Sequence, residues 1–183
     1  MTAFPPGVVE TPRLTLRAAG PAHAAALAAL LADSRHDLAA WLDWEPRQRT
    51  PAELADWGRR AEDAWGDRRC FEWWAFDVTG RLVAGVDLHS WDWSVPRAEV
   101  GYWGRTPDLG RGLVTEAVVA ACGVAFGVLG ANRLQALCDA RNLRSCRLAE
   151  RAGFVREGLL RQYERDPRGG LCDQVLYAKL PGG

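Results

Sequence analysis

A glycine-punctuated turn ahead of a helical pattern carries the strongest chemical signal in this sequence. Two glycines around Arg111 let the backbone turn tightly and approach a ligand closely. The unpaired N–H groups and the positive dipole end of the following helix favour an anion such as a pyrophosphate, and Arg111 adds positive charge. A tight turn that only leads into a core helix explains the glycines equally well. The helical apolar spacing comprises Val114, Ala117, Val118, Ala121, Ala125 and Val128.

Other side chains that could do chemistry are ambiguous on their own. Asn142 and Ser145 have the spacing of a helix cap and a first-turn residue. Glu164, taken alone, is a solvated surface acid. The histidines have no metal-ligand spacing, and only His89 is a candidate to face a substrate cleft; they are His23, His36 and His89. A dinucleotide fingerprint, a P-loop and a Gly-x-Ser-x-Gly nucleophile elbow are all missing from the sequence.

Several short motifs, taken in order, resemble those of the GNAT acetyltransferase superfamily. They cover nearly the whole chain, and they are most similar to the branch that acetylates the N-terminal alanine of ribosomal proteins. The matching segments are Glu10-Thr-Pro-Arg-Leu-Thr-Leu-Arg17, Trp41-Leu-Asp-Trp44, Glu99-Val-Gly-Tyr-Trp103, Gly110-Arg-Gly112 with Thr115-Glu-Ala117, and Asn142-x-x-Ser145 with Gly153-Phe154.

The resemblance implies that acetyl-CoA is the cosubstrate and that a primary amine attacks the thioester directly, without a metal. The family's cofactor motif is Gln/Arg-x-x-Gly-x-Gly/Ala at a strand-to-helix junction. Leu109 and Val114 depart from it, which favours the alternative of a non-catalytic acyl-CoA-binding module. The resemblance places cofactor contacts at Tyr102, Trp103, Gly104, Leu109, Gly110, Arg111, Gly112, Leu113, Val114, Asn142 and Arg147.

Acetyl transfer requires proton removal from the ammonium, donors for the oxyanion and a proton for the thiolate. In the resembling branch the asparagine holds the pantetheine arm, a serine is the general acid and a glutamate is the base. These roles fall on Asn142, Ser145 and Glu164. Glu99 and Glu157 are competing carboxylates, and Glu99 could instead order a water. We expect the oxyanion donor to be a backbone N–H of residues 100–103.

The acceptor side of the site is expected near two tryptophans. Trp41 and Trp44 flank Asp43 beside Glu45, and an aromatic floor with acids suits a cationic amine. A packed hydrophobic helix is an equally good interpretation. Glu99 is a further candidate substrate contact. The acceptor could be a protein N-terminus or a small amine such as an aminoglycoside or a polyamine.

Changes in hydrophobic period predict the elements that position these residues. A capping box at Thr50-Pro51-Ala52-Glu53 begins one helix. The order predicts an α+β fold with a mixed, mostly antiparallel sheet flanked by helices. The family adds that the strands flanking the glycine turn splay apart around the pantetheine. Predicted strands are Leu14–Arg17, Cys70–Val78, Leu82–Trp91, Ala98–Trp103, Arg133–Cys138, Phe154–Arg161 and Val175–Leu180; predicted helices are Pro21–Asp33, a short helix capped by Ser34, 51–65, 113–129 and Asn142–Arg151.

The length predicts one domain over residues 1–183. We expect the protein to work in the cytoplasm, as a monomer or a homodimer. Lys+Arg and Asp+Glu both number 23, so no global field favours nucleic acid or a membrane surface as a partner. The five cysteines have neither zinc nor disulfide spacing, which favours reduced thiols. The sequence shows no signal-peptide pattern and no apolar run of membrane-spanning length.

Overall fold

The computed structural model describes residues 3–42 and 49–182. Its centre is an eight-stranded sheet in the order β1-β2-β3-β4-β5-β6-β8-β7. All neighbouring strands are antiparallel except β5 and β6, which are parallel. The strands are β1 (Val8–Glu10), β2 (Leu14–Ala18), β3 (Phe71–Asp77), β4 (Leu82–Asp92), β5 (Arg97–Gly104), β6 (Arg133–Asp139), β7 (Val155–Arg165) and β8 (Leu171–Lys179).

Four helices cover the two faces of this sheet. The sequence explains one start directly, because Thr50 and Glu53 form the reciprocal capping box that begins α2. Trp74 and Trp103 are buried in the core beneath α1 and α2, whereas Trp73 is buried in the core beneath α3 and α4. The helices are α1 (Ala24–Leu38), α2 (Pro51–Gly66), α3 (Leu113–Gly127) and α4 (Leu143–Arg151). None of the helices in the described ranges is long and apolar enough to cross a membrane.

The prediction that Ser34 caps a second short helix is wrong. Helix α1 continues through Ser34 to Leu38. The Ser34 side chain is buried, and its Oγ accepts a hydrogen bond from the backbone N–H of Thr106 at 2.9 Å. A serine can leave a helix uninterrupted when its hydroxyl finds a partner outside the helix. Here that partner is the segment leading to the glycine turn.

Strands β5 and β6 separate at one end of the sheet. They pair only from Arg97↔Arg133 to Glu99↔Gln135, although β5 runs on to Gly104 and β6 to Asp139. The backbone groups beyond these pairs therefore border an open gap, which we call the β5/β6 gap. The expected mixed, mostly antiparallel sheet with two splayed strands is confirmed.

Alternation along the strands decides which side chains reach each face of the gap. Residues that pair in register share a face, so Glu99 and Gln135 lie together with Gly101 and Trp103. We call this side, covered by α1 and α2, the α1/α2 face. Tyr102 lies on the opposite α3/α4 face. The two faces of the gap thus carry different chemistry.

Candidate active site

The glycine turn adopts the conformation that its two glycines permit. Gly110 and Gly112 have φ angles of 82° and 79°, a region that residues with side chains rarely adopt. Gly112 is the N-cap of α3 and offers no side chain to its first turn. The first N–H groups of α3 therefore lack a capping side chain at the N-cap, and this turn borders a cleft of about 820 Å³. That this turn binds an anion stays a prediction, and the uncapped N–H groups beside the cleft are consistent with it.

A partly buried carboxylate anchors the start of α3 to strand β2 and the turn before it. Glu116 accepts hydrogen bonds from Thr11 Oγ1 at 2.7 Å and from the Arg13 backbone N–H at 2.9 Å. Burial alone would raise the pKa of Glu116, but the hydrogen bonds from Thr11 and Arg13 lower it. Arg13 Nη1 also donates to the carbonyl of Arg111 at 2.8 Å. This contact, which sequence reasoning missed, holds the glycine turn in place.

A second ion-pair network, centred on Asp108, holds the segment just before the glycine turn. Asp108 is only 6% exposed, and its carboxylate accepts hydrogen bonds from Arg105 at 2.7 Å and Arg111 at 2.6 Å. Burial alone would raise the pKa of Asp108, but these two guanidinium groups outweigh it and lower the pKa. Arg105 also donates to Asp33 of α1 at 2.6 Å. Arg111 is thus tethered, and its remaining N–H groups are the ones that can meet a ligand.

The two residues that depart from the family motif pack against a glycine. A Cβ atom added at Gly104 would lie 2.6 Å from Val114 Cγ2 and 3.1 Å from Leu109 Cδ2. The missing side chain at Gly104 therefore leaves the space that Val114 and Leu109 fill. Together the three residues form an apolar part of the cleft wall beside the glycine turn.

Ser145 lies in a hydrogen-bonded cluster at the α3/α4 face of the gap. Asn142 Oδ1 accepts the Ser145 backbone N–H at 3.1 Å, so the asparagine caps α4. Ser145 Oγ donates to the Tyr102 hydroxyl at 3.1 Å, and Tyr102 donates to the Ser145 carbonyl at 3.1 Å. Cys138 Sγ lies 3.3 Å from both hydroxyl oxygens. Capping and a chemical role for Ser145 are thus compatible.

The Tyr102 hydroxyl and the Cys138 thiol beside Ser145 stay protonated near neutral pH. Burial raises the pKa of Tyr102, and the neighbouring Cys138 raises it further. Burial likewise raises the pKa of Cys138, against the hydrogen bonds from Ser145 and Tyr102. Both groups therefore keep their protons near neutral pH. Three neutral hydroxyl and thiol groups at the gap can relay a proton to a departing thiolate.

The cleft brings together most of the residues predicted to bind the cofactor, but not all predicted site residues. Arg147 is exposed and does not border it; Arg144 and Arg151 of the same helix do. Trp44 lies outside the described residues. Glu99 and Glu164 are not among the described residues that line the cleft. Those that do are Trp41, Tyr102, Trp103, Gly104, Leu109, Gly110, Arg111, Gly112, Leu113, Val114, Asn142 and Ser145.

Glu164 lies across the sheet from Ser145. A bulge between Leu160 and Glu164 interrupts the pairing of β7 with β8. Beyond it, Glu164 Oε2 accepts a hydrogen bond from Gln174 Nε2 at 3.0 Å. Gln174 pairs in register with Asp139 at the open end of β6, on the α1/α2 face. The Glu164 carboxylate therefore lies on the face of the sheet opposite the Ser145 hydroxyl, and β8 lies between its strand and β6.

Comparisons with known proteins agree with this architecture. The protein named "Uncharacterized N-acetyltransferase p20" from Bacillus licheniformis is 36% identical over 102 residues. These residues are 56% of this chain and 57% of that relative, less than two thirds of its length. The protein named "Putative ribosomal N-acetyltransferase YdaF" from Bacillus subtilis (strain 168) is 28% identical over 153 residues, 81% of each chain.

The likeness extends to a solved structure and to a family model. RimL, a ribosomal L7/L12 alpha-N-protein acetyltransferase solved in complex with coenzyme A, has a TM-score of 0.87 at 21% identity, covering 94% of this chain and 97% of its own. This comparison shows a shared fold. The model described as an acetyltransferase (GNAT) domain matches residues 13–155. That match spans well over half of the sequence and confirms the resemblance: the chain belongs to the GNAT acetyltransferase family.

Proposed function

We propose that the protein is an acetyl-CoA-dependent N-acetyltransferase whose acceptor is a protein N-terminal α-amine. The observation that carries the proposal is the β5/β6 gap, with a protonated Ser145 cluster on one face and the Glu99 carboxylate, at the last pair before the gap, on the other. A thioester in that gap would meet an amine on one side and a proton donor for its sulfur on the other. The names of YdaF and RimL support a ribosomal-protein acceptor.

The residues around the cleft fit coenzyme A in charge and shape. The N–H groups at the start of α3 and the guanidinium of Arg111 would hold the diphosphate. Arg144 and Arg151 add two cations from α4. Asn142 borders the same cleft and would hold the pantetheine arm, the role that the resemblance implies for it. Acetyl-CoA, when bound, supplies the acetyl thioester. The exposed Arg147, which the sequence predicted as a cofactor contact, is the less favourably placed cation.

Each proposed catalytic side chain moves one proton. Ser145 donates its hydroxyl proton to the sulfur of the leaving thiolate and regains a proton from solvent, and Tyr102 holds the serine hydroxyl in position. Glu164 accepts the proton that the attacking amine loses. The amine attacks the thioester carbon directly, and the C–S bond breaks without an acyl-enzyme. Backbone N–H groups of residues 100–103 bordering the gap are the proposed donors to the oxyanion.

The acceptor end of the cleft is aromatic and partly exposed. Trp41 is 42% exposed and borders the cleft beside His36 and Asp37 at the end of α1. An indole near a carboxylate suits a cationic amine through cation–π and charge attraction. The same chemistry would suit a polyamine or an aminoglycoside, the second candidate acceptor class. The five free cysteines fit the reducing cytoplasm as the place of reaction.

A direct comparison of acceptors tests the proposed function. The purified protein is incubated with acetyl-CoA and, separately, hexapeptides beginning with alanine or serine, spermidine and an aminoglycoside. Thiol release measures turnover, and mass spectrometry locates the acetyl group. We expect the peptides to be acetylated at the α-amine with the highest kcat/KM. Preference for spermidine or the aminoglycoside would assign the second acceptor class, and release of thiol with no acetylated amine would refute both.

Gly112→Ala should weaken acetyl-CoA binding about tenfold, because a Cβ atom disfavours the φ angle of 79° that aims the N–H groups. Calorimetry with acetyl-CoA measures the change. Gly80→Ala is the matched control: Gly80 also has a φ of 79°, lies in the β3–β4 turn and has no atom within 4 Å of an added Cβ. We expect both variants to lose similar thermal stability, but only Gly112→Ala to lose affinity. Equal affinities would place the diphosphate elsewhere.

A further inference from the structure

Four side chains on the α1/α2 face, Asp87, His89, Glu99 and Gln135, form a row of polar contacts that the proposed proton transfers do not use. His89 of β4 pairs in register with Glu99 of β5. His89 Nδ1 is 2.6 Å from Asp87 Oδ1, and His89 Nε2 is 3.5 Å from Glu99 Oε1. Gln135 of β6 donates to Glu99 Oε2 at 3.4 Å. The row therefore links three adjacent strands. We call Asp87, His89 and Glu99 the acid–imidazolium–acid array.

The array places one positive charge, on His89, between two carboxylates. Burial alone would lower the pKa of His89, but hydrogen bonds and charge from Asp87 and Glu99 raise it to about 10. The ring is therefore an imidazolium at neutral pH, with both N–H groups donating, one towards each carboxylate. One cation between two carboxylates cannot neutralise both. Each carboxylate oxygen can accept further hydrogen bonds, so a second cation can join the array.

The array lies beside the gap and borders an accessible space. A Cβ atom added at Gly101 would lie 2.6 Å from Asp87 Oδ2, so this carboxylate covers the β5 backbone where the gap opens. Asp87 and His89 line a second cavity of about 430 Å³, together with the cations Arg49 and Arg60. Glu99 lines neither this cavity nor the larger cleft, but its side chain is 20% exposed. Trp103 borders both this cavity and the larger cleft, so the two spaces share a wall. A cation bound here would lie next to the reaction site and against an indole ring.

We propose that the acid–imidazolium–acid array binds the ammonium group of the acceptor, with Glu99 as its direct contact and His89 as the positioning residue that orients Glu99. The array lies on the face from which an amine must enter the gap, opposite Ser145. A primary ammonium has three N–H donors, and a carboxylate held in place by a neighbouring imidazolium loses little conformational freedom on binding it. This inference rests on the proposed amine acetylation. It narrows the acceptor to amines that are cationic when they bind.

His89→Gln should raise the KM for the acceptor peptide about tenfold or more, because Glu99 loses a charged hydrogen-bond partner. The KM for acetyl-CoA should stay within about twofold. His89→Arg should recover much of the acceptor affinity, since a guanidinium can also donate to two carboxylates. Glu10→Gln is the matched control, because Glu10 is a strand carboxylate of β1 at an edge of the sheet, where it accepts a hydrogen bond from Thr15, away from the array. Unchanged acceptor KM values in both His89→Gln and Glu99→Gln would overturn the proposal.

A direct binding measurement distinguishes loss of ammonium recognition from a general loss of folding or activity in the variants. A hexapeptide with an N-terminal alanine and its N-acetylated form are titrated by calorimetry in the presence of coenzyme A. We expect the parent protein to bind the free amine at least about tenfold more tightly than the acetylated form, and Glu99→Gln to lose this difference. A preserved difference in Glu99→Gln would show that another group recognises the ammonium.

A stability measurement tests the array without any acceptor. The folded pKa of His89 is about 10, above its unfolded value of about 6.5, so its stabilisation is complete below about pH 6.5 and is lost as pH rises through 10. The melting temperature of the parent should therefore exceed that of His89→Gln at pH 6, and this difference in melting temperature should shrink towards pH 10. The remaining charged or titratable groups of the cavity occur in both proteins, so the difference reports His89; they are Arg49, Arg60, Cys70 and Glu72.

These measurements distinguish failure of the array from failure of the proposed function. If the parent acetylates spermidine or the aminoglycoside but no peptide, only the protein acceptor is refuted. The KM changes are then measured with that amine and are expected to be the same, because the array recognises the ammonium. If no amine is bound or acetylated, the array has no acceptor to bind and both proposals fail. A pH-independent stability difference would overturn the imidazolium bridge itself.

Discussion

Ser145→Ala should lower kcat about a hundredfold, the usual scale for removing a group that transfers a proton. Its affinity for acetyl-CoA should change little, because Asn142 and the turn at the start of α3 remain. The physical reason is that the variant lacks the hydroxyl that Tyr102 positions and that gives its proton to the sulfur. Steady-state kinetics with the preferred peptide and calorimetry with acetyl-CoA separate the two effects.

Two further variants sharpen the Ser145 result. Ser94→Ala is the matched control, because Ser94 is exposed in the β4–β5 turn, where its hydroxyl donates to Asp92 at 2.6 Å. It should behave like the parent. Tyr102→Phe should lower kcat less than Ser145→Ala, since it removes only the partner that positions the serine. A Ser145→Ala protein with parental kcat would mean that the thiolate leaves without a proton from this cluster.

The sequence predicted the fold well because most elements are encoded locally. The capping box at Thr50 and Glu53 and the glycines around Arg111 are short-range signals of a helix start and a tight turn. The prediction for Ser34 was wrong for the opposite reason. Its hydroxyl accepts from Thr106, 72 positions away, and no local pattern distinguishes that bond from a helix cap.

The candidate site was predictable where residues act through the backbone or a motif. Positions bordering the cleft followed from the glycine turn and from the family resemblance. The ion pairs that hold the glycine turn in place could not be predicted, because Glu116 contacts Arg13 and Arg105 contacts Asp33 only after the chain has folded. Arg13 and Glu116 both lie in segments that match the family's motifs, but the sequence alone does not indicate that the two side chains are in contact.

The arginines of α4 illustrate a limit of spacing arguments. The resemblance assigned a cofactor contact to Arg147, whereas Arg144 and Arg151 border the cleft with Leu148 between them. Positions 144, 148 and 151 follow helical spacing and share a face, so the rotation of α4 decides which cation is available. That rotation depends on the residues of α4 that are buried against the sheet, which include positions 146 and 149. A chain of 22 arginines offers many candidates, and packing selects among them.

Glu164→Gln should lower kcat/KM about a hundredfold near and below neutral pH, because the attacking amine loses its proton acceptor. The effect should shrink as pH rises, since the free amine then becomes common without help. The acidic-side inflection of the kcat/KM profile should disappear in the variant. Glu10→Gln serves again as the control, because it removes a strand carboxylate whose partner is Thr15, on β1 at the opposite edge of the sheet from β7. Its profile should match that of the parent.

This variant complements Ser145→Ala, because the two residues lie on opposite faces of the sheet and serve opposite proton transfers in the proposed reaction. The introduced amide would keep a polar group beside Gln174 and leave the bulge of β7 undisturbed, so loss of activity would report the missing carboxylate. Suppose instead that the pH profile and kcat/KM of Glu164→Gln equal those of the parent on a verified acceptor. Proton removal then passes to Glu99 or to water, and the array on the α1/α2 face becomes the site of both ammonium binding and deprotonation.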